Sequence, residues 1–230
     1  MKIDSESRIV DSVIDQLQYC KKISKIVVAT TDLDDDAKLF EHVKNQNIEC
    51  FRGSSENVLD RYFQCATKYG FDVIVRITAD NPFIDPVIVD DLIGLFQSSN
   101  YDYGSNTNPR SFPQGTEVEI FTYAALSKAK ESAAKRSEQE HVTPFFYNNP
   151  DIFKICNLSN SNNLSKLRWT VDTSNDLDFV REISKRISSK PVLMKDILTV
   201  LKNESSLMSI NGDRITNEGG LKSLREELQK

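Results

Sequence analysis

Val73–Pro86 reads VIVRITADNPFIDP, and this stretch decides the fold. Val73–Thr78 is composed almost entirely of residues suited to a buried strand. The strand runs directly into the turn residues Ala79, Asp80, Asn81 and Pro82. Asp85 then stands as an N-cap before Pro86, whose missing N–H costs nothing in a first helical turn. Asp80 therefore lies at the exit of a buried strand, where an open α/β sheet keeps its ligands.

Outward from this stretch the same alternation continues. Ile9, Val13, Ile14 and Leu17 recur at helical spacing and predict a helix over 7–19. Strands are expected at 25–29 and 48–51, with helices at 34–45 and 58–69, the second stopped by Gly70. After Asp85, Ile88, Leu92, Ile93 and Phe96 mark one helix face. Strand–helix alternation over 25–97 is the signature of a mostly parallel sheet covered on both faces. Beyond it the pattern changes. Residues 105–115 are polar, 117–121 alternate as a strand, and 126–134 read as a helix. Further strands are expected at 153–157 and 168–171, then helices over 176–187 and 193–202. This predicts one α/β domain over 1–202 and a polar extension over 203–230.

Composition narrows the function class. A formal charge of −5 argues against bulk attraction to nucleic acid or to an anionic membrane. Cys20, Cys50, Cys65 and Cys156 form no CxxC pair, and with His42 and His141 as the histidines they do not make a clustered zinc set. Free, mostly buried thiols in a reducing, cytoplasmic compartment are the expectation. No apolar run approaches the length of a membrane span, and no G-x-G-x-x-G follows a first strand as a dinucleotide site requires.

The chemistry-bearing candidates are carboxylates at strand ends. Asp80 has a partner in Asp172, at the end of LRWTVDT. Two such acids can share a hard divalent cation, and Mg²⁺ held this way completes its shell with phosphate oxygens. Asp80 reads equally as a turn-forming acid. Arg76, inside the strand, is either paired with a neighbouring acid or in contact with ligand. Asn106, Arg110, Gly115 and Glu117 lie in a polar loop suited to gripping a polyhydroxylated or acidic ligand, or to being an ordinary surface loop before an edge strand. Thr30 closes the first strand with a hydroxyl able to face a base or phosphate. His141, between Glu140 and Thr143, has room for a phosphate or sugar contact and equally for a structural role.

Taken in order, IVVATT, FRGSSENVLDRYFQCA, DVIVRITADNPFIDP, YGSNTNPRSFPQGTEVE, SEQEHVTPFFYNNP, LRWTVDTSNDLDFV and INGDRITNEGG carry a resemblance over roughly residues 9–220. The chain resembles the spore-coat polysaccharide (SpsF-type) branch of the CMP-sugar cytidylyltransferases, related to the CMP-acylneuraminate and CMP-Kdo synthetases. The resemblance implies a nucleotide-diphospho-sugar transferase-like (Rossmann-like) α/β fold. It implies transfer of CMP from CTP to an acidic or modified sugar for surface polysaccharide, with Mg²⁺ on Asp80 and Asp172. It places Arg52 and Ser54 in a loop near the nucleotide and Asn106, Arg110, Gly115 and Glu117 beside the sugar. A homodimer is a further family expectation.

The chain departs from the resemblance at its start. Family members open with a strand and a basic, glycine-containing loop that wraps the triphosphate, and here Met1 falls at or after the end of that motif. The strand would be central, so an unpaired seam is expected in its place. An upstream coding start, a truncated and catalytically inactive homologue that still binds sugar nucleotide, and a seam filled by another segment or subunit are the three expectations.

Overall fold

The structure is a computed structural model that describes residues 1–4 and 7–212. The calls on 213–230, including most of INGDRITNEGG, lie outside the described residues. The chain enters through α1 (Ile9–Leu17), then β1 (Val27–Thr31), a short 3-10 turn over Asp34–Asp36, α2 (Ala37–Lys44), β2 (Glu49–Gly53) and α3 (Val58–Tyr69). Gly70 ends α3 in the left-handed conformation at φ 67°, which a residue with a Cβ resists. β3 (Val73–Arg76) and α4 (Pro86–Gln97) follow, and the Asp85 side chain caps α4 by accepting from the Val87 N–H at 2.8 Å.

The second half contains β4 (Tyr103–Ser105), β5 (Glu119–Thr122), α5 (Tyr123–Ser132), α6 (Arg136–His141), α7 (Pro144–Tyr147) and β6 (Ile155–Asn157). It closes with α8 (Ser174–Ser184) and α9 (Met194–Asn203). Leu207, beyond α9, packs into the same cluster as Trp169, Phe179 and Ile197.

The strands fall into two sheets. β1 and β2 pair in parallel, and the four others run in the order β3-β5-β4-β6. β4 and β6 are parallel, whereas β5 runs antiparallel to both its neighbours. The parallel, helix-flanked core is as expected, with β5 inserted in the reverse sense. Two strand expectations are corrected. β5 is interior, so Glu119, Ile120 and Phe121 are all buried and the anticipated edge alternation is absent. Residues 168–171 form no strand; Arg168 makes a single parallel bridge to Gln114, because the backbone bonds here go first to Gln114 and then, from Val171, to the Asp80 carbonyl instead of continuing along one partner strand. β4 was missed, being short and ending at the polar loop.

Helices cover both faces. Successive residues of a strand point to opposite sides. Ile74 and Phe121 join a cluster with Leu59 and Ala66 of α3, while Val75 and Ile120 join one with Val13 of α1 and Leu92 of α4. β1 is less buried than a central strand: Val27, Val28 and Ala29 are half-exposed, and Val73 at the start of β3 is 47% exposed. The reason is a cavity of about 640 Å³ lined by both strands.

One ionic network lies inside the larger sheet. Glu119 of β5 accepts from Arg76 Nη1 at 2.6 Å and from the Tyr103 hydroxyl at 2.7 Å. Burial pushes the Arg76 pKa down, but Glu119 outweighs that and holds the guanidinium charged. Glu119→Gln would leave that buried cation without its counter-charge. The expected loss is about 3 kcal/mol by urea unfolding; a loss below about 1 kcal/mol would show the network to be dispensable.

Candidate active site

Three segments meet at one end of the larger sheet: the turn after β3, the loop 106–118, and residues 167–173. The Gln114 N–H donates to the Leu167 carbonyl at 2.9 Å, and the Trp169 N–H donates back to the Gln114 carbonyl at 2.8 Å. The Val171 N–H donates to the Asp80 carbonyl at 2.9 Å, and the Thr170 hydroxyl reaches the same oxygen at 3.3 Å. Gly115 sits at φ 99°, and a Cβ there would lie 2.6 Å from the Thr170 nitrogen. Only a residue without a side chain lets the loop and residues 169–170 approach this closely.

Residues 167–173 are held by a buried ion pair. Arg168 Nε lies 3.0 Å from Asp176 Oδ1, and Arg168 Nη1 donates to Gln114 Oε1 at 2.7 Å. Asp176, fully buried in the first turn of α8, also accepts from the Thr173 N–H at 2.9 Å, the Thr173 hydroxyl at 2.8 Å and Asn211 Nδ2 at 3.1 Å. Burial alone would raise the Asp176 carboxyl, but the bonds from Arg168, Thr173 and Asn211 prevail and hold it at about 2. The third guanidinium nitrogen, Arg168 Nη2, pairs with Asp172.

The predicted residues separate into three groups. Asp80 and Asp172 lie on backbone segments that are neighbours: the Asp80 carbonyl is bonded by Val171, the residue next to Asp172. The Asp80 carboxylate accepts from the Thr78 hydroxyl at 2.5 Å, and the Asp172 side chain is 55% exposed and bonded to Arg168. In the loop, Arg110 Nη1 lies 2.6 Å from Glu117 Oε1, and Glu117 Oε2 accepts from the Gly115 N–H at 2.7 Å. Asn106 is buried and spends both ends of its amide on this loop, donating to the Thr116 carbonyl at 2.7 Å and accepting from the Val118 N–H at 3.0 Å. Its place is as a brace within the loop.

The remaining residues serve the smaller sheet or lie elsewhere. The Thr30 hydroxyl donates to Asp36 at 2.9 Å. Arg52 donates to the carbonyls of Thr31 at 3.1 Å and Leu33 at 2.8 Å, fixing the loop after β1. Ser54 accepts from the Asn57 N–H at 3.0 Å, and its carbonyl accepts from Arg61 Nη1 at 2.6 Å. Arg76 pairs with Glu119, the neighbouring-strand alternative. His141 ends α6, which packs against α3. Arg61 was missed, as were Arg168, Gln114 and Asp176. The one sequence signal among these is Thr173-Ser-Asn-Asp176, the spacing of a helix capping box. Arg168 has no local signal, since Gln114 lies 54 positions away.

Asp80 and Asp172 fit a magnesium ion by donor chemistry. They offer hard carboxylate oxygens at adjoining points of the backbone, and Mg²⁺ is usually held by one or two carboxylates plus substrate phosphates. Among the described residues no group of three or more His, Cys, Asp or Glu forms a cage that would hold a metal by itself.

A family model for cytidylyltransferases matches residues 5–206. The chain belongs to the cytidylyltransferase family. An uncharacterized protein of Methanocaldococcus jannaschii is 33% identical over 207 residues, covering 89% of this chain and 84% of that one. The spore coat polysaccharide biosynthesis protein SpsF of Bacillus subtilis is 29% identical over 205 residues, covering 85% and 83%. A cytidylyltransferase structure from Leptospira borgpetersenii superposes with a TM-score of 0.86 at 30% identity, covering 92% of this chain and 89% of that one. A CMP-2-keto-3-deoxy-manno-octonic acid synthetase complexed with CTP shares the fold, with a TM-score of 0.58 at 14% identity, covering 77% and 87%.

Two measurements test this geometry. The folded pKa of Asp176 lies below its unfolded value of 3.8, so its contribution is complete above about pH 5 and is lost as pH falls toward 2. Urea unfolding should show about 2 kcal/mol lost across that window. The part of that slope due to Asp176 should vanish in Asp176→Asn, and a wild-type stability flat from pH 5 to pH 2.5 would contradict the assignment. Gly115→Ala should cost about 3 kcal/mol, from a positive φ and a backbone clash together; a neutral substitution would mean the loop approaches residues 169–170 less closely.

Proposed function

We propose that this cytidylyltransferase family member transfers CMP from CTP to an acidic or modified sugar, releasing pyrophosphate, with Mg²⁺ on Asp80 and Asp172. The observation that supports this reading is the hydrogen bond from the Val171 N–H to the Asp80 carbonyl, which makes the backbone at Asp80 a neighbour of the segment carrying Asp172. Family membership supports nucleotidyl transfer, and the polysaccharide role in the name of the Bacillus subtilis relative supports a sugar acceptor.

The reaction is a displacement at the α-phosphorus. An oxygen–phosphorus bond forms from a sugar hydroxyl as the bond to the β-phosphate oxygen breaks, pyrophosphate leaves with the electron pair, and the hydroxyl proton passes to solvent or to a carboxylate. Magnesium, when bound, supplies neutralisation of phosphate charge and favours the ionised hydroxyl. Asp80, oriented by the Thr78 hydroxyl at 2.5 Å, presents one carboxylate from the turn after β3. Arg168 orients Asp172 from a guanidinium that is itself clamped by Asp176 and Gln114. Arg110 and Glu117 present a charged pair, 20% and 25% exposed, at the mouth of the loop, where a sugar carboxylate would compete for Arg110.

Pyrophosphate release from CTP with acidic sugars tests the reading. Asp80→Asn and Asp172→Asn should each lower turnover at least about a hundredfold and abolish its magnesium dependence, with the unfolding midpoint little changed. Unchanged turnover in either variant would overturn the metal assignment. A second reading, nucleotide binding without turnover, is favoured by the Arg168 contact that already occupies Asp172. CTP binding by calorimetry with no pyrophosphate released from any acceptor would select it.

A further inference from the structure

The turn that carries Asp80 holds a chain of three polar side chains. Asn81 Nδ2 donates to the Thr78 hydroxyl oxygen at 3.0 Å, and that hydroxyl donates to Asp80 Oδ1 at 2.5 Å. Asn81 is buried, whereas Thr78 and Asp80 are half-buried. The backbone closes the same turn. The Asn81 N–H donates to the Thr78 carbonyl at 3.4 Å, and the Ile84 N–H donates to the Asn81 carbonyl at 3.1 Å.

The direction of this chain follows from counting protons. An ionised carboxylate only accepts, and a threonine hydroxyl has one proton to give. Once that proton points at Asp80, the group that meets Thr78 from the other side must be a donor. The Asn81 amide therefore turns its nitrogen to Thr78. Donation into the hydroxyl oxygen also strengthens the bond that the hydroxyl makes onward.

As a purely structural residue Asn81 is poorly chosen. Its Oδ1 is buried without a hydrogen-bond partner among the described residues. An amide oxygen buried in this way costs more free energy than one neutral hydrogen bond returns. An apolar side chain would fill the position without that cost, so the amide is explained by what its nitrogen does to Thr78 and Asp80.

We propose that Asn81 is a positioning residue: acting through Thr78, it ties down Asp80 Oδ1, so that Asp80 offers a cation the single oxygen Oδ2 and favours Mg²⁺ over Ca²⁺. The inference rests on the reading of Asp80 as a magnesium ligand. Mg²⁺ is small, demands octahedral order and is served by one fixed carboxylate oxygen, whereas the larger Ca²⁺ accepts both oxygens of a carboxylate in a looser shell. Groups that hold a ligating carboxylate in place commonly change metal affinity by about ten- to a hundredfold when removed.

Metal binding to the 230-residue chain is the test, read from the electron paramagnetic resonance signal of free Mn²⁺ with MgCl₂ or CaCl₂ as competitor. Thr78→Val, close to isosteric, should weaken Mg²⁺ binding at least about tenfold and leave Ca²⁺ binding equal or tighter, with the unfolding midpoint little changed. Thr78→Ser keeps the hydroxyl and should restore the original preference. Asn81→Ala should weaken Mg²⁺ binding in the same sense, at least about threefold, because the hydroxyl remains but is free to turn away. The double variant Thr78→Val/Asn81→Ala should bind Mg²⁺ no more weakly than Thr78→Val alone, since Asn81 acts through the hydroxyl. Additive losses would overturn the proposal, as would equal losses for Mg²⁺ and Ca²⁺. Binding abolished by Asp80→Asn but unchanged in Asn81→Ala would overturn this inference alone. Binding unchanged in Asp80→Asn, or no Mn²⁺ bound by the unaltered chain at about 5 mM, would overturn the magnesium reading and this inference with it.

Discussion

The Arg168–Asp176 pair is the constraint on which the candidate site depends. Asp176 is fully buried and accepts from residues 168, 173 and 211, while Arg168 reaches Gln114 in a distant loop and Asp172 beside it. One guanidinium thus joins the start of α8, the loop 106–118 and the acid at the site. A buried charge pair is weak as a source of net stability but strong as a determinant of geometry, because removing either partner strands the other. The site gains orientation from it: Asp172 is half-exposed at the surface while its anchor is buried.

The loop 106–118 works through satisfaction of polar groups more than through apolar burial. Asn106 pairs with the backbone at both ends of its amide, and Glu117 accepts from the Gly115 N–H while holding Arg110. A polar loop buried at Ser105, Asn106, Gln114 and Thr116 would be costly if any of these groups were left unpaired. The same bonds give it a defined shape. Arg110 and Glu117 keep some exposure, as do Thr107, Asn108, Pro109 and Ser111 of the same loop.

The smaller sheet is organised differently. Thr30, Thr31 and Arg52 use their polar groups on Asp36 and on loop carbonyls, so the turn after β1 is closed by its own residues. Arg61 ties α3 to the Ser54 turn. Between this sheet and the larger one lies the cavity of about 640 Å³, beside which Val27, Val28 and Ala29 are half-buried while Ile74 is buried.

Much of this architecture was legible in local pattern. The helix starts at Asp85-Pro86 and Thr173, the stop at Gly70, and the strand-to-turn junction at Asp80 all rest on interactions within a few residues, where capping and φ preferences act. Asp80 and Asp172 were legible as two acids after apolar runs, and the segments carrying them are backbone neighbours although residues 168–171 are not a strand. What only the tertiary structure decided were contacts between distant segments: β5 buried between β3 and β4, Arg76 matched to Glu119, Arg168 clamped by Asp176 and Gln114, and Asn106 turned inward. These depend on which segments become neighbours in space. A sequence states the charge and polarity of each side chain, but the partner that satisfies it is chosen only when the chain is packed.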